Sequence, residues 1–396
     1  MLFSLALILL VGMSLGWICK KIHFPPLFGM IVTGIILGPY VLDLIDTSVL
    51  NISSELRRIA LVIILIRAGL SLDINDLKKV GRPAILMCFV PACFEICGML
   101  ILAPPLLHIT LLEAAILGAV IAAVSPAVIV PKMIKLMDEG YGTDAGIPQM
   151  ILAAASVDDV FVIVIFYVFT GLATSGDFSP VSILKIPASI LTGILVGAIV
   201  GFMMAKFYEK VHIRDTVKAV IILCISFLLV TVEDNFSSLV PFSGLIAVMV
   251  SGIMLHAKRL PVAKRLSVKF SKIWLIAEVF LFVLVGAAVN PHYAITAGIN
   301  AVILIFGVLV FRMAGVFCCL IKTKLIMQER LFCMLAYFPK ATVQASIGGL
   351  PLAMGLACGD IVLTVAVLAI LITAPIGAFL IELTYKKLLK KEKDAA

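Results

Sequence analysis

Apolar stretches of about 20 residues, the length a helix needs to cross the hydrocarbon core of a bilayer, follow one another along almost the whole chain. Read by length and period they give about thirteen spans, at residues 2–19, 26–43, 54–72, 83–103, 111–131, 146–170, 181–206, 216–232, 241–255, 273–289, 293–320, 330–350 and 358–385. Hydrophobic residues make up 63% of the sequence and charged residues 14%, a balance foreign to soluble domains. The fold class is therefore all-α and polytopic, with membrane lipid as the surrounding partner. The longest hydrophilic stretch, around Lys258 to Lys272, leaves no room for an appended nucleotide-binding or catalytic domain. An ATP-driven pump is disfavoured, and so is an enzyme.

The net charge of +8 invites a nucleic-acid partner, but the placement of the basic residues explains it as topology. With the first span starting outside, one side collects Lys20 and Lys21, Lys132 and Lys135, Lys206 to Lys218, Lys258 to Lys272 and the lysine-rich tail. The positive-inside rule then predicts an outside N terminus and a cytoplasmic C terminus, in the cytoplasmic membrane. The first apolar run has no preceding positive charge and no clear cleavage site, so it is read as a span and not as a signal peptide. The nine cysteines are scattered through apolar segments without metal-ligand spacing and read as small hydrophobes. Nothing signals a nucleotide, a nucleic acid or a cofactor.

Inside the sixth span stands Ser156-Val157-Asp158-Asp159. Each carboxylate at the bilayer centre costs on the order of 2.5 to 3.5 kcal/mol on insertion scales, so two in succession ask for a proton, a cation or a basic partner. Successive helical positions point about 100° apart, which lets Asp158 and Asp159 play different roles. Ser156 offers a hydroxyl ligand or a small packing surface. Hard oxygen ligands of this kind suit dehydrated sodium or lithium, and no His or Cys cluster competes for a transition metal.

The two halves of the chain also resemble each other weakly at a shift of roughly 215 residues, the mark of a repeat. Pro26-x-x-Gly29 meets Pro241-x-x-Gly244, Thr33-Gly34 meets Ser251-Gly252, and Gly69 meets Gly286. An odd number of spans separates the equivalents, so the second copy is inverted. Residues 1–180 hold the first repeat, 181–214 a connecting span and 215–396 the second repeat. At the same shift Ser125-Pro126 falls near Pro339-Lys340. A proline removes a helical hydrogen bond and clashes with the carbonyl four residues back, so both spans are expected to break there and cross, their freed backbone groups lining an ion cavity. A simple kink is the alternative for either proline alone.

Glu95 and Arg312 also occupy equivalent positions with opposite charge, and an ion pair bracing two helices is the economical reading, ahead of direct ion coordination. Lys340 has three possible roles: neutralising Asp158, competing with the cation as a substitute counter-ion, or stabilising the carbonyl end of a half-helix. Arg67 is read as snorkelling to the interface.

Ser156-Val157-Asp158-Asp159, Phe338-Pro339-Lys340-Ala341-Thr342-Val343-Gln344-Ala345, Arg67-Ala68-Gly69-Leu70 and Gly34-Ile35-Ile36-Leu37-Gly38-Pro39 together resemble the monovalent cation:proton antiporters. Within them the chain is most similar to the adjacent-aspartate branch and the NHA-type sodium/proton exchangers. The resemblance implies a homodimer with a dimerisation domain and a core domain, from spans 4–6 and 11–13, that moves as an elevator. It implies Asp159 as the main sodium and proton carboxylate, Asp158 as its neighbour, and Glu95–Arg312 as a core salt bridge. In electrogenic relatives a lysine stands where this chain has Arg312. The expected activity is exchange of Na+ or Li+ for H+; potassium/proton exchange, a membrane pH sensor and a channel are the competing readings.

Overall fold

The computed structural model describes residues 1–22, 24–72, 81–175, 180–236 and 241–391; the side chains of Ser156, Val160, Ser175, 180–187, Phe236 and 291–297 are outside that description. In chain order the helices are α1 (Leu2–Lys21), α2 (Pro26–Leu37), α3 (Thr47–Asn51), α4 (Ser53–Ser71), α5 (Arg82–Met87) and α6 (Val90–Leu107). There follow α7 (Leu111–Ile121), α8 (Pro126–Asp138), α9 (Ile147–Ser175), α10 (Pro180–Lys210), α11 (Asp215–Phe236) and α12 (Gly244–Lys258). The chain ends with α13 (Leu260–Ala288), α14 (Pro291–Leu320), α15 (Met327–Ala336), α16 (Thr342–Ile347), α17 (Leu350–Ala353) and α18 (Gly359–Leu388). Among the described residues nine helical segments, counting α5 with α6 and α7 with α8, are long and apolar enough to cross a membrane, and α2 and α12 are shorter apolar helices.

Local chemistry sets many of the helix ends. Thr110 Oγ1 accepts from Glu113 N at 3.3 Å while Glu113 Oε2 accepts from Thr110 N at 2.8 Å, a reciprocal cap that fixes the start of α7. Proline opens α2, α8, α10 and α14, where its missing N–H is not needed.

The structure departs from the expected spans in several places, each with a cause. The second span stops at Leu37 because Gly38, held extended at φ −70° and ψ 173°, precedes Pro39. The fourth is interrupted at Cys88 and Phe89, where Pro91 displaces the carbonyl of Met87 and tighter bonds, Cys88 N to Ile85 O and Phe89 N to Leu86 O, take over. The hydrophilic stretch read as a loop before residue 273 is instead the first half of α13. Val262, Ala263, Leu266, Phe270 and Trp274 recur at helical spacing and are buried, while Lys264, Arg265, Lys269 and Lys272 stay exposed. The span at 330–350 divides into α15, α16 and α17, and that at 111–131 into α7 and α8.

The described residues group into two compact units. One comprises those within Met1–Ser54, Asp76–Thr170 and Val279–Ala396; the other those within Glu55–Asn75 and Gly171–Glu278. Each unit contains one copy of the same close helix contact. In the first, a Cβ on Gly286 would strike Ile31 O and lie 3.2 Å from Gly34 Cα. In the second, a Cβ on Gly69 would strike Met249 O and lie 3.2 Å from Gly252 Cα. Ile31 precedes Gly34 by three residues, as Met249 precedes Gly252. The positions aligned in the sequence thus exchange partners, Gly34 with Gly286 and Gly252 with Gly69.

Within the first unit α18 anchors both broken helices. A Cβ on Gly377 would lie 2.5 Å from Pro339 Cγ, and Lys340 N donates to Thr373 Oγ1 at 2.9 Å. At the far end of α8, Lys132 Nζ meets Glu382 Oε2 at 2.7 Å, Lys135 meets the other oxygen of Glu382, and Tyr385 donates to Glu139 Oε2 at 2.8 Å.

Candidate functional site

The break between α7 and α8 covers residues 122–125, and that between α15 and α16 covers 337–341. Ser125 N donates to Pro339 O at 2.9 Å, so the two non-helical stretches touch backbone to backbone. Around this point four ionisable side chains are almost completely enclosed: Glu95 and Asp158 at 0% exposure, Arg312 and Lys340 at 1%. Charges at such depth persist only when paired and hydrogen-bonded.

Arg312, on α14, uses its whole guanidinium fork. Nη1 meets Glu95 Oε2 at 2.8 Å and also donates to Ala122 O; Nη2 meets Asp158 Oδ2 at 2.9 Å; Nε donates to Tyr337 O at 3.0 Å. One side chain therefore joins two carboxylates and both helix breaks. The planar five-donor geometry of arginine makes this possible, and a lysine could not reproduce it. Lys340, left with three possible partners by the sequence, sends Nζ to Glu95 Oε2 at 2.5 Å. Its backbone bond to Thr373 sets the start of its side chain on the Glu95 side of the crossing.

The adjacent aspartates are treated unequally. Asp158 Oδ2 accepts from Val124 N at 2.8 Å as well as from Arg312. Asp159 is half-buried, and its Oδ1 is shielded from solvent with no hydrogen-bond partner among the described residues. Asp158 Oδ1, Glu95 Oε1, Ser125 Oγ and Thr342 Oγ1 are buried without partners in the same sense. Two cations balance Glu95 and Asp158, so Asp159 is the carboxylate beyond that balance. A buried oxygen set lacking donors can take a proton or a small hard cation.

Pro126 opens α8 and Pro339 lies against α18, so both mark their breaks directly. The side chain of Ser156 lies outside the described residues. In the first break three carbonyls have protein donors: Ile121 O and Ala123 O accept from Gln344 Nε2 at 3.0 and 2.9 Å, and Ala122 O accepts from Arg312. Protein donors have taken them because an unpaired carbonyl at this depth is costly. In the sequence Gln344 stands out only as part of the Phe338–Ala345 motif, with no role of its own, and Thr373 not at all. The signal available for Gln344 was a primary amide in an otherwise apolar membrane segment. No cluster of three or more His, Cys, Asp or Glu able to hold a metal ion is present among the described residues.

The profile of the family described as sodium/hydrogen exchanger, transmembrane, matches residues 5–387. Sodium/hydrogen exchanger 9B2 of Mus musculus is 34% identical over 93% of this chain and 69% of its own length. The Homo sapiens protein of that name is 33% identical over 96% of this chain and 73% of its own, and Homo sapiens sodium/hydrogen exchanger 9B1 is 31% identical over 93% and 73%. Among solved structures, the sodium proton antiporter MjNhaP1 of Methanocaldococcus jannaschii superposes with a TM-score of 0.86 over 97% of both chains at 22% identity, which speaks for a common fold. A profile match across almost the whole sequence, with relatives above 30% identity over most of their length, makes this chain a member of the sodium/hydrogen exchanger family.

Proposed function

We propose that the protein is a secondary antiporter that exchanges sodium or lithium for protons across the cytoplasmic membrane, with Asp159 as the carboxylate that binds either ion. The observation that carries this reading is the asymmetry of the pair: Asp158 is held by Arg312 and Val124 N, while Asp159 Oδ1 is buried with no donor among the described residues. The names of the relatives, exchangers of sodium and hydrogen ions, support the same ions here.

Mechanistically, a proton and a cation compete for one oxygen set, and the site faces one side of the membrane at a time. Loaded with either ion, Asp159 is neutralised and can move; empty, it would carry a bare charge into hydrocarbon and is held back. That penalty couples the two fluxes. Asp158 completes the oxygen set through its free Oδ1, Ser156 and Ser125 are the hydroxyls nearest in sequence to the site, and Glu95 with Arg312 and Lys340 braces it. Every one of these residues lies in spans 4–6 or 11–13, which fits a core domain moving as an elevator against a dimerisation domain in a homodimer. The basic ends of the spans face the cytoplasm.

The test is proton flux in proteoliposomes driven by sodium, lithium or potassium, with and without a clamped voltage. Sodium-driven flux that a proton gradient can run in reverse supports the proposal. Flux with potassium alone, or sodium movement that a proton gradient never drives uphill, would falsify it.

A further inference from the structure

Several backbone groups released by the first break can be followed to a partner. Ala122 O accepts from Arg312, Val124 N donates to Asp158, and Ser125 N donates to Pro339 O. Two further carbonyls, Ile121 O and Ala123 O, both end on Gln344 Nε2 at 3.0 and 2.9 Å. Gln344 is 1% exposed and uncharged, and it sits on α16 in the opposite repeat. Its nitrogen must face the carbonyls, since the amide oxygen there would meet two acceptors with nothing to donate.

The consequence reaches the ion site through one rigid group. Ala123 C=O and Val124 N–H are the two ends of a single planar peptide. Gln344 holds the oxygen end at 2.9 Å and Asp158 takes the hydrogen end at 2.8 Å. The tilt of that plane, set by Gln344, therefore decides whether the N–H points at Asp158. A second bond, to Ile121 O, anchors the same amide nitrogen to the end of α7.

We propose that Gln344 is a positioning residue of the ion site: by clamping two carbonyls of the first break it aims the Val124 N–H at Asp158, keeping Asp158 Oδ2 occupied and Asp159 open. This rests on the antiport reading above. Without the clamp, Asp158 Oδ2 keeps Arg312 alone, and Asp158 competes more strongly with Asp159 for the proton and the cation.

The experiment compares sodium-dependent proton flux per folded protein in proteoliposomes for the wild type, Gln344→Leu and Gln344→Glu, from about pH 6 to 9. A neutral glutamic acid can donate one hydrogen bond to the carbonyls; the carboxylate can donate none. The Gln344→Glu flux, as a ratio to wild type at the same pH, should therefore rise by about tenfold from the alkaline to the acid end, and Gln344→Leu should stay about tenfold below wild type throughout. A role in fold stability alone predicts lowered melting temperatures and a ratio that is flat with pH. A flat Gln344→Glu ratio, or Gln344→Leu flux within twofold of wild type, overturns the proposal. So does failure of both variants to yield monodisperse protein, which would make Gln344 a residue of the fold. Absence of sodium-dependent flux in the wild type itself is the distinct result that removes the antiport reading.

Discussion

Lys340 Nζ lies 2.5 Å from Glu95 Oε2, the same oxygen that accepts from Arg312 at 2.8 Å. One carboxylate thus answers two cations, and the second cation is drawn away from the aspartates. The arrangement separates the residues that brace one another from Asp159, the carboxylate proposed to exchange its ion.

That separation predicts opposite behaviour for the two aspartates. Asp159→Asn should abolish exchange and leave thermal stability unchanged or raised, because it deletes a carboxylate without a partner. Asp158→Asn should impair exchange and also destabilise, by up to roughly 3 to 5 kcal/mol, since it leaves Arg312 short of a counter-charge in the interior. Thermal melts of both variants in detergent, together with flux, decide the matter; equal destabilisation would remove the distinction.

Glu95 and Lys340 should be strongly coupled. Glu95→Gln leaves Lys340 without its carboxylate, and Lys340→Gln leaves Glu95 with Arg312 alone, so the double variant should cost less than the sum of the singles, with a coupling of about 0.5 to 3 kcal/mol. The midpoint of the flux–pH profile should stay in place in Lys340→Gln, because the ammonium contacts Glu95 and not Asp159. A displaced midpoint would mean that Lys340 acts on the aspartates directly.

Competition at a single carboxylate fixes the sign of the pH dependence. Apparent sodium affinity should weaken as pH falls, by about tenfold per pH unit once the group is mostly protonated, and level off on the alkaline side. Flux measured against sodium concentration at several pH values gives this slope directly. An affinity independent of pH would exclude a shared binding group.

The paired glycine contacts predict a cost at all four positions, smallest at Gly252, where the nearest atom, Gly69 C, lies 2.9 Å from an added Cβ. Gly34→Ala and Gly252→Ala force a methyl group into helix backbone in each repeat, as do Gly286→Ala and Gly69→Ala. Overpacking of this kind costs about 1 to 3 kcal/mol, and all four variants should fall in that range when their melting temperatures are compared.

Much of the architecture could be read from particular residues. Pro126 and Pro339 mark the breaks because a proline inside a span has few alternatives, and the shift that aligns Gly34 with Gly252 also brings Glu95 opposite Arg312, which lie 2.8 Å apart in the structure. The basic first half of α13 was obscured by the density of its lysines, although its buried residues keep helical spacing. The partner of Lys340 was not legible, since a long flexible side chain between two carboxylates is directed by tertiary contacts such as the bond from its own N–H to Thr373. Gln344 was missed because an amide announces itself only through the carbonyls it satisfies, and those belong to a helix more than 200 residues away in sequence.

Arg312, Gln344 and the Ser125–Pro339 backbone bond all tie one broken helix to the other. Sliding the two breaks past each other to open a gate would cut every one of these bonds, at about 0.5 to 1.5 kcal/mol each and more where a charge is involved. Carrying both together costs none of them. The crossing is therefore built as a rigid cup: under the proposed antiport the ion would travel in a vessel whose walls keep their shape, and the part of the protein that must yield would be whatever surrounds the vessel.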